Sequence, residues 1–217
     1  MIKLLVVDDQ RLVRRCVIAR LNSVPRFEVV GEASSGEEAR ELLRSQDVDV
    51  VLMDLNMPGI GGIEATKRFL SMDPELKIVG LSMYTKGLYP RRFLEAGGMG
   101  YVSKSADSDD LFKAVDMVYI GQPFISSDVA QEIAIGSAKD SSDDVLDSLS
   151  VREIQVLQKI SNGLNLEEIA SVLCLSPKTV AHHRRSLYRK LHVANDVQLV
   201  NLVREQGGAE LAAEQAL

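Results

Sequence analysis

Over the first 120 residues, short apolar runs alternate with helical patterns. The runs IKLLVV, FEVVGEA, DVVLM, KIVGLS and MGYVS read as buried strands. Residues 10–22, 36–45, 63–72, 88–96 and 107–120 read as helices; in the first, Val13, Cys16, Val17 and Leu21 are expected on one face. Strands that alternate with helices must be joined by crossovers, which makes the strands parallel and the sheet covered on both faces. The expected fold class is therefore α/β, a five-stranded doubly wound parallel sheet.

The alternation then stops. The second half of SSDVAQEIAIGSAKDSSDDVLDS is rich in Ser and Asp and lacks periodicity. We read residues 1–122 as one domain, 123–147 as a linker that includes a short helix, and 148–210 as a second, all-α domain. Its helices are expected at about 149–162, 166–173, 177–191 and 195–206. Ser176 before Pro177 is an N-cap with proline at the first helical position.

The net charge of −6 argues against a nucleic-acid partner until its distribution is read. Residues 177–190 hold five Lys/Arg and no acid, and a local basic stripe matters more than the total. No apolar run reaches the roughly 18 residues that would span a membrane. The first residues, MIKLLVVDDQ, do not read as a secretory signal, so a cytoplasmic chain without membrane contact is expected. Cys16 and Cys174 are expected as reduced core residues.

In a parallel sheet the strand ends share one edge, and ligands bind where the strand order reverses. The first strand runs into Asp8 and Asp9, the third into Asp54, the fourth into Ser82, and the fifth ends near Lys104, just after Tyr101. Were the first and third strands neighbours, three carboxylates would meet and repel. A hard divalent cation such as Mg2+ relieves that repulsion with oxygen ligands. Carboxylates, Mg2+, a hydroxyl and a lysine around one pocket suit phosphoryl transfer, with Asp54 as the nucleophile.

VVDDQ, VVLMDLNMPG, GLSMY and AGGMGYVSKSA resemble the receiver domain of bacterial two-component response regulators, over residues 1–120. That resemblance implies a flavodoxin-like fold and Asp54 as phosphoacceptor. It implies Mg2+ held by Asp9, Asp54 and the backbone carbonyl of Asn56, with Asp8 assisting through water. Ser82 and Lys104 would contact the phosphoryl oxygens, and Tyr101 would be the aromatic switch. It also implies a sensor histidine kinase as partner. Met83 follows Ser82 where receivers often place a small residue, and its bulk would narrow access to Asp54.

In the segment NLEEIASVLCLSPKTVAHHRRSLYRKLHV we read helix, tight turn, helix. With Val180 facing a core, Leu187 and Leu191 share its face. Lys178, His182, Arg185 and Arg189 then lie opposite, with Ala181 beside them, while Arg184 projects toward the core side. A helix built this way suits the major groove of double-stranded DNA. LSVREIQVLQKISNGLNLEEIASVLCLSPKTVAHHRRSLYRKL resembles the LuxR/NarL (FixJ) helix-turn-helix, and Thr179 completes the expected DNA-facing set. CLSPKTV and DVQLVNLV look like the GacA/UvrY subgroup. That implies promoter binding and regulation of transcription, small regulatory RNAs among the targets, and RNA polymerase as a further partner. The apolar surplus of NDVQLVNLVREQGG, with Val197 and Val200 on one side and Leu199, Leu202 and Val203 on another, predicts a homodimer through the last helix.

Other classes fit less well. A dehalogenase-type phosphatase needs an Asp-x-Asp motif after the first strand, and VVDDQRL lacks it; no G-x-x-x-x-G-K-[ST] is present for a P-loop enzyme. No enzyme is expected beyond a receiver's own phosphorylation and dephosphorylation. The rival reading is a LuxR-type transcription factor that works without phosphorylation.

Overall fold

The first strand, β1 (Ile2–Val7), lies inside a parallel sheet, between β2 (Phe27–Ala33) and β3 (Val50–Asp54). The sheet continues through β4 (Lys77–Ser82), β5 (Gly100–Ser103) and β6 (Phe124–Ile125), in the order β2-β1-β3-β4-β5-β6. Crossovers are made by α1 (Arg11–Asn22), α2 (Gly36–Ser45), α3 (Gly62–Met72), α4 (Leu88–Glu95) and α5 (Ser108–Tyr119), with α6 (Ser127–Lys139) completing this unit. This computed structural model describes residues 1–85, 88–139 and 148–205, and divides the chain into Met1–Asp140 and Ser141–Leu217.

The central strands are apolar throughout because helices cover both their faces. Leu4, Val6, Val50, Leu52, Val79, Leu81 and Val102 pack with Leu21, Leu111, Ala114, Val115 and Val118. The alternate positions, Leu5, Val7, Val51, Met53 and Ile78, are equally buried. Both layers are needed, since a parallel sheet is stable only when covered on each side.

Several expectations are corrected. The sheet has six strands, not five: Phe124 and Ile125 pair with Gly100 and Tyr101. Phe124 N–H donates to Met99 O at 3.1 Å and Ser126 N–H to Tyr101 O at 3.0 Å. A two-residue strand carries no alternation to read, so its partner had to be in place. The start of the expected linker thus joins the first unit, where Ser126 and Val129 are buried. The cysteines are also not core residues, since both are exposed. The inward face of α1 is Val17, Ile18 and Leu21, shifted from the expected one. The shift brings Arg14 inward, where its guanidinium finds Glu32 and the carbonyl of Asp8. Cys174 sits after α8 (Leu166–Val172) at φ 50°, in the tight turn.

The second unit is helical: α7 (Val151–Ser161), α8, α9 (Pro177–Lys190) and α10 (Asp196–Glu205). Local chemistry sets the starts. Ser150 and Glu153 form a reciprocal capping box on α7, as do Asn165 and Glu168 on α8. Ser176 Oγ accepts the Thr179 N–H ahead of α9, with Pro177 at its first position. The buried set includes Ile154, Leu157, Ile169, Leu173, Val180, Leu187, Leu191 and Leu199.

Candidate functional site

The order of strands brings Asp8, Asp9 and Asp54 together. Each offers a carboxylate oxygen, and these oxygens lie within 4.8 Å of one another. β1 and β3 are neighbours although α1, β2 and α2 separate them in sequence; this is the point at which the strand order reverses. Asp8 and Asp54 are buried. Lys104, just after β5, places Nζ 2.8 Å from Asp8 Oδ2 and 2.8 Å from Asp54 Oδ2, with only 11% of its side chain exposed. One ammonium therefore serves two carboxylates.

That is one cation for three acids, and burial and mutual repulsion both raise the carboxyls of Asp54 and Asp9. Burial pushes the Asp54 carboxyl up to about 6; the Lys104 ammonium opposes this and Asp8 adds to it. Burial, then Asp8, raises Asp9 as well. Burial lowers the Lys104 ammonium, but Asp54 and Asp8 outweigh it and the net direction is upward. Asp9 Oδ1 is buried with no hydrogen-bond partner. An oxygen-only donor set with surplus negative charge and an unpartnered buried oxygen fits a hard divalent cation.

Two further oxygens are held by backbone. Asp8 Oδ1 accepts the Gln10 N–H at 2.8 Å, and Asp54 Oδ1 accepts the Asn56 N–H at 3.0 Å. Ser82, at the end of β4, is buried and its Oγ accepts the Tyr84 N–H at 3.0 Å. The Lys104 N–H donates to Ser82 O at 2.8 Å, so the ends of β4 and β5 are tied. Tyr101 is fully buried; its hydroxyl donates to Tyr84 O and its ring meets Phe93 edge-on at 5.9 Å. Burial raises the Tyr101 phenol, so it stays protonated. Met83 is 59% exposed.

Two supporting residues were not singled out in the sequence. A Cβ on Gly62 would lie 2.1 Å from Asp54 O and 2.7 Å from Leu55 Cα, so only glycine lets α3 begin against the end of β3. The glycines of MPGIGG were the available signal. Arg14 donates to Asp8 O at 2.6 Å from Nη1 and to Glu32 Oε2 at 2.9 Å from Nε. Its role needed the tertiary contact.

In the second unit, Lys178, His182, Arg185 and Arg189 are exposed on α9; Thr179 and Ala181 are half-buried beside them. Val180, Leu187 and Leu191 face the core. Arg184 does not join the exposed cations but turns to Asp196 at the start of α10. Lys190 turns back as well, with Nζ 2.7 Å from Glu153 Oε2 and 2.8 Å from Ser148 O.

Residues 4–116, more than half of the chain, match the response regulator receiver domain. Residues 147–203 match the bacterial regulatory proteins of the luxR family. The chain is a LuxR-type response regulator. It is 40% identical to response regulator GacA of Pseudomonas aeruginosa, over 98% of this chain and 100% of that one. It is also 40% identical to response regulator UvrY of Escherichia coli K12, over 95% of each chain. Among solved structures, RcsB of Salmonella enterica serovar Typhimurium, bound to promoter rprA in the presence of the phosphomimetic BeF3-, is 28% identical. That alignment covers 92% of this response regulator and 96% of RcsB, with a TM-score of 0.65. Response regulator ChrA of a heme-sensing two-component system is 30% identical, with a TM-score of 0.53 over 95% of this chain and 98% of ChrA. Among the described residues, no helix is long and apolar enough to cross a membrane.

Proposed function

We propose that Asp54 accepts a phosphoryl group from a sensor histidine kinase and that α9 then reads promoter DNA as part of a homodimer. The observation that carries the reading is the pocket itself, three carboxylates with one shared lysine at the switch point of the sheet. Asp8, Asp9, Asp54 and the Asn56 carbonyl would hold Mg2+, whose charge offsets that of the incoming phosphoryl oxygens. A carboxylate oxygen of Asp54 attacks phosphorus; an O–P bond forms as the N–P bond of phosphohistidine breaks. The electron pair leaves with the imidazole, which takes up a proton. The Lys104 ammonium, already at Asp54, pairs with the phosphoryl oxygens, and the Ser82 hydroxyl donates to another. Tyr101, one strand away, then exchanges its bond to Tyr84 O for a new position.

The exposed row Lys178, His182, Arg185 and Arg189, with Thr179 and Ala181, supports α9 as the helix that enters the major groove. For the dimer, α10 buries Leu199 and leaves Val197 69% exposed, which favours the Val197 side as the face toward a partner. Leu202 is half-buried, and the side chain of Val203 lies outside the described residues. We assign cytoplasmic promoters as the targets, those of small regulatory RNAs among them, with RNA polymerase as a further partner.

Mass spectrometry after incubation with a phosphodonor and Mg2+ tests the centre of this reading. One phosphoryl group is expected, lost with chelator and lost in Asp54→Ala. Labelling that survives in Asp54→Ala would reject Asp54. DNA binding and promoter output unchanged by Asp54→Ala in cells would instead favour a phosphorylation-independent factor.

A further inference from the structure

Arg184 lies on the basic helix, yet its charge is used inside the second unit. Its Nε donates to Tyr188 Oη at 2.8 Å and to Asp196 Oδ1 at 3.0 Å, and its Nη2 reaches Asp196 Oδ2. The Tyr188 hydroxyl donates to Asp196 Oδ1 at 2.7 Å. Both oxygens of Asp196 are thus engaged by two residues one helical turn apart on α9. A planar guanidinium bonded at two oxygens fixes direction as well as distance. Asp196 opens α10 and is followed at once by the exposed Val197.

We propose that Arg184, Tyr188 and Asp196 form a positioning clamp that sets the angle of α10 on α9, and so the spacing of half-sites a dimer accepts. This rests on the reading that α10 is the dimer helix. Three features support it. Among the described side chains of α10, Leu199 alone is fully buried, and α10 packs against α7, so the bonds from Arg184 and Tyr188 to Asp196 are what tie its start to α9. The clamp sits at the end of α10 that carries Val197. On α9, Arg184 and Tyr188 lie one helical turn apart, and the exposed Arg185 follows Arg184 directly. In a two-fold dimer, any tilt of α10 against α9 is doubled between the two α9 helices, and DNA allows only separations near whole turns.

The test uses the full-length protein phosphorylated or treated with beryllofluoride. The probes are duplexes that the wild type selects from a random library, remade with the two half-sites one to three base pairs closer or farther apart, and with one half-site alone. Arg184→Lys keeps the charge without the fork, Tyr188→Phe removes only the hydroxyl, and Asp196→Asn removes the acceptor charge. For the wild type, affinity should fall about tenfold or more away from the preferred spacing. In Arg184→Lys and Asp196→Asn this preference should shrink to within about threefold, with affinity for one half-site changed less than about twofold. Tyr188→Phe should lie between. A loss of thermal stability with the spacing preference intact would show a merely structural bridge and overturn the inference. A wild type indifferent to spacing would overturn the dimer reading, and the clamp with it.

Discussion

The acidic pocket buries its charges, whereas the exposed row on α9 keeps its charges in water. In the pocket, Asp8 and Asp54 are almost fully covered and share Lys104 at 2.8 Å each, so every charge there feels its neighbours. On α9, Lys178, Arg185 and Arg189 remain exposed, where solvent and salt weaken their mutual repulsion. A buried set responds strongly to one added charge, which suits a switch. An exposed set meets a polyanion without desolvation beforehand, which suits reversible binding. Arg184 and Lys190 stand between the two, since each lies on the basic helix but pairs with a carboxylate of its own unit.

The contrast can be broken most forcefully at Lys104. Lys104→Met leaves Asp8 and Asp54 without their cation, and losing one partner of a buried pair costs about 3–5 kcal/mol. Urea unfolding without divalent ions should show that loss, and saturating Mg2+ should recover much of it. An equal loss with and without Mg2+ would mean that the pocket does not behave as a cation site.

A smaller effect is expected on the exposed side. Arg185→Ala or Arg189→Ala should leave folding stability within about 0.5 kcal/mol, as at surface positions generally. DNA affinity should fall by about 1–3 kcal/mol for a base contact, or the salt slope should drop by about one for a phosphate contact. Titrations at several salt concentrations separate the two. Wild-type affinity and slope in both variants would remove α9's exposed face from the interface.

The smallest effect sharpens the intermediate case. Burial tends to raise the Glu153 carboxyl, but Lys190, Ser186 and Ser150 outweigh it and hold it down at about 2, against an ordinary 4.5. The folded value is the depressed one. Its contribution is therefore complete above about 4.5 and is lost as pH falls toward 2. Glu153→Gln should lower stability at neutral pH by about 1–2 kcal/mol and flatten the decline over that window. A variant whose acid unfolding curve parallels that of the wild type would show that the Lys190 pair contributes little.

The alternation of strands and helices, the strand-end acids and the single face of Lys178, His182, Arg185 and Arg189 were all legible because each is a local pattern. Periodicity is set by the geometry of one element, and the cap at Ser176 lies within three residues of the group it satisfies. What the tertiary structure decided were the pairings between distant segments. β6 exists only because β5 offers a free edge to two residues that have no pattern of their own. The inward face of α1 turned by about one residue because Arg14 could reach Asp8 O and Glu32, which drew Cys16 outward. The destination of Arg184 was unreadable from α9 alone, since its partner Asp196 belongs to the next helix. A helical projection ranks side chains by direction; which of two directions a long cation takes depends on the carboxylate that folding brings within reach.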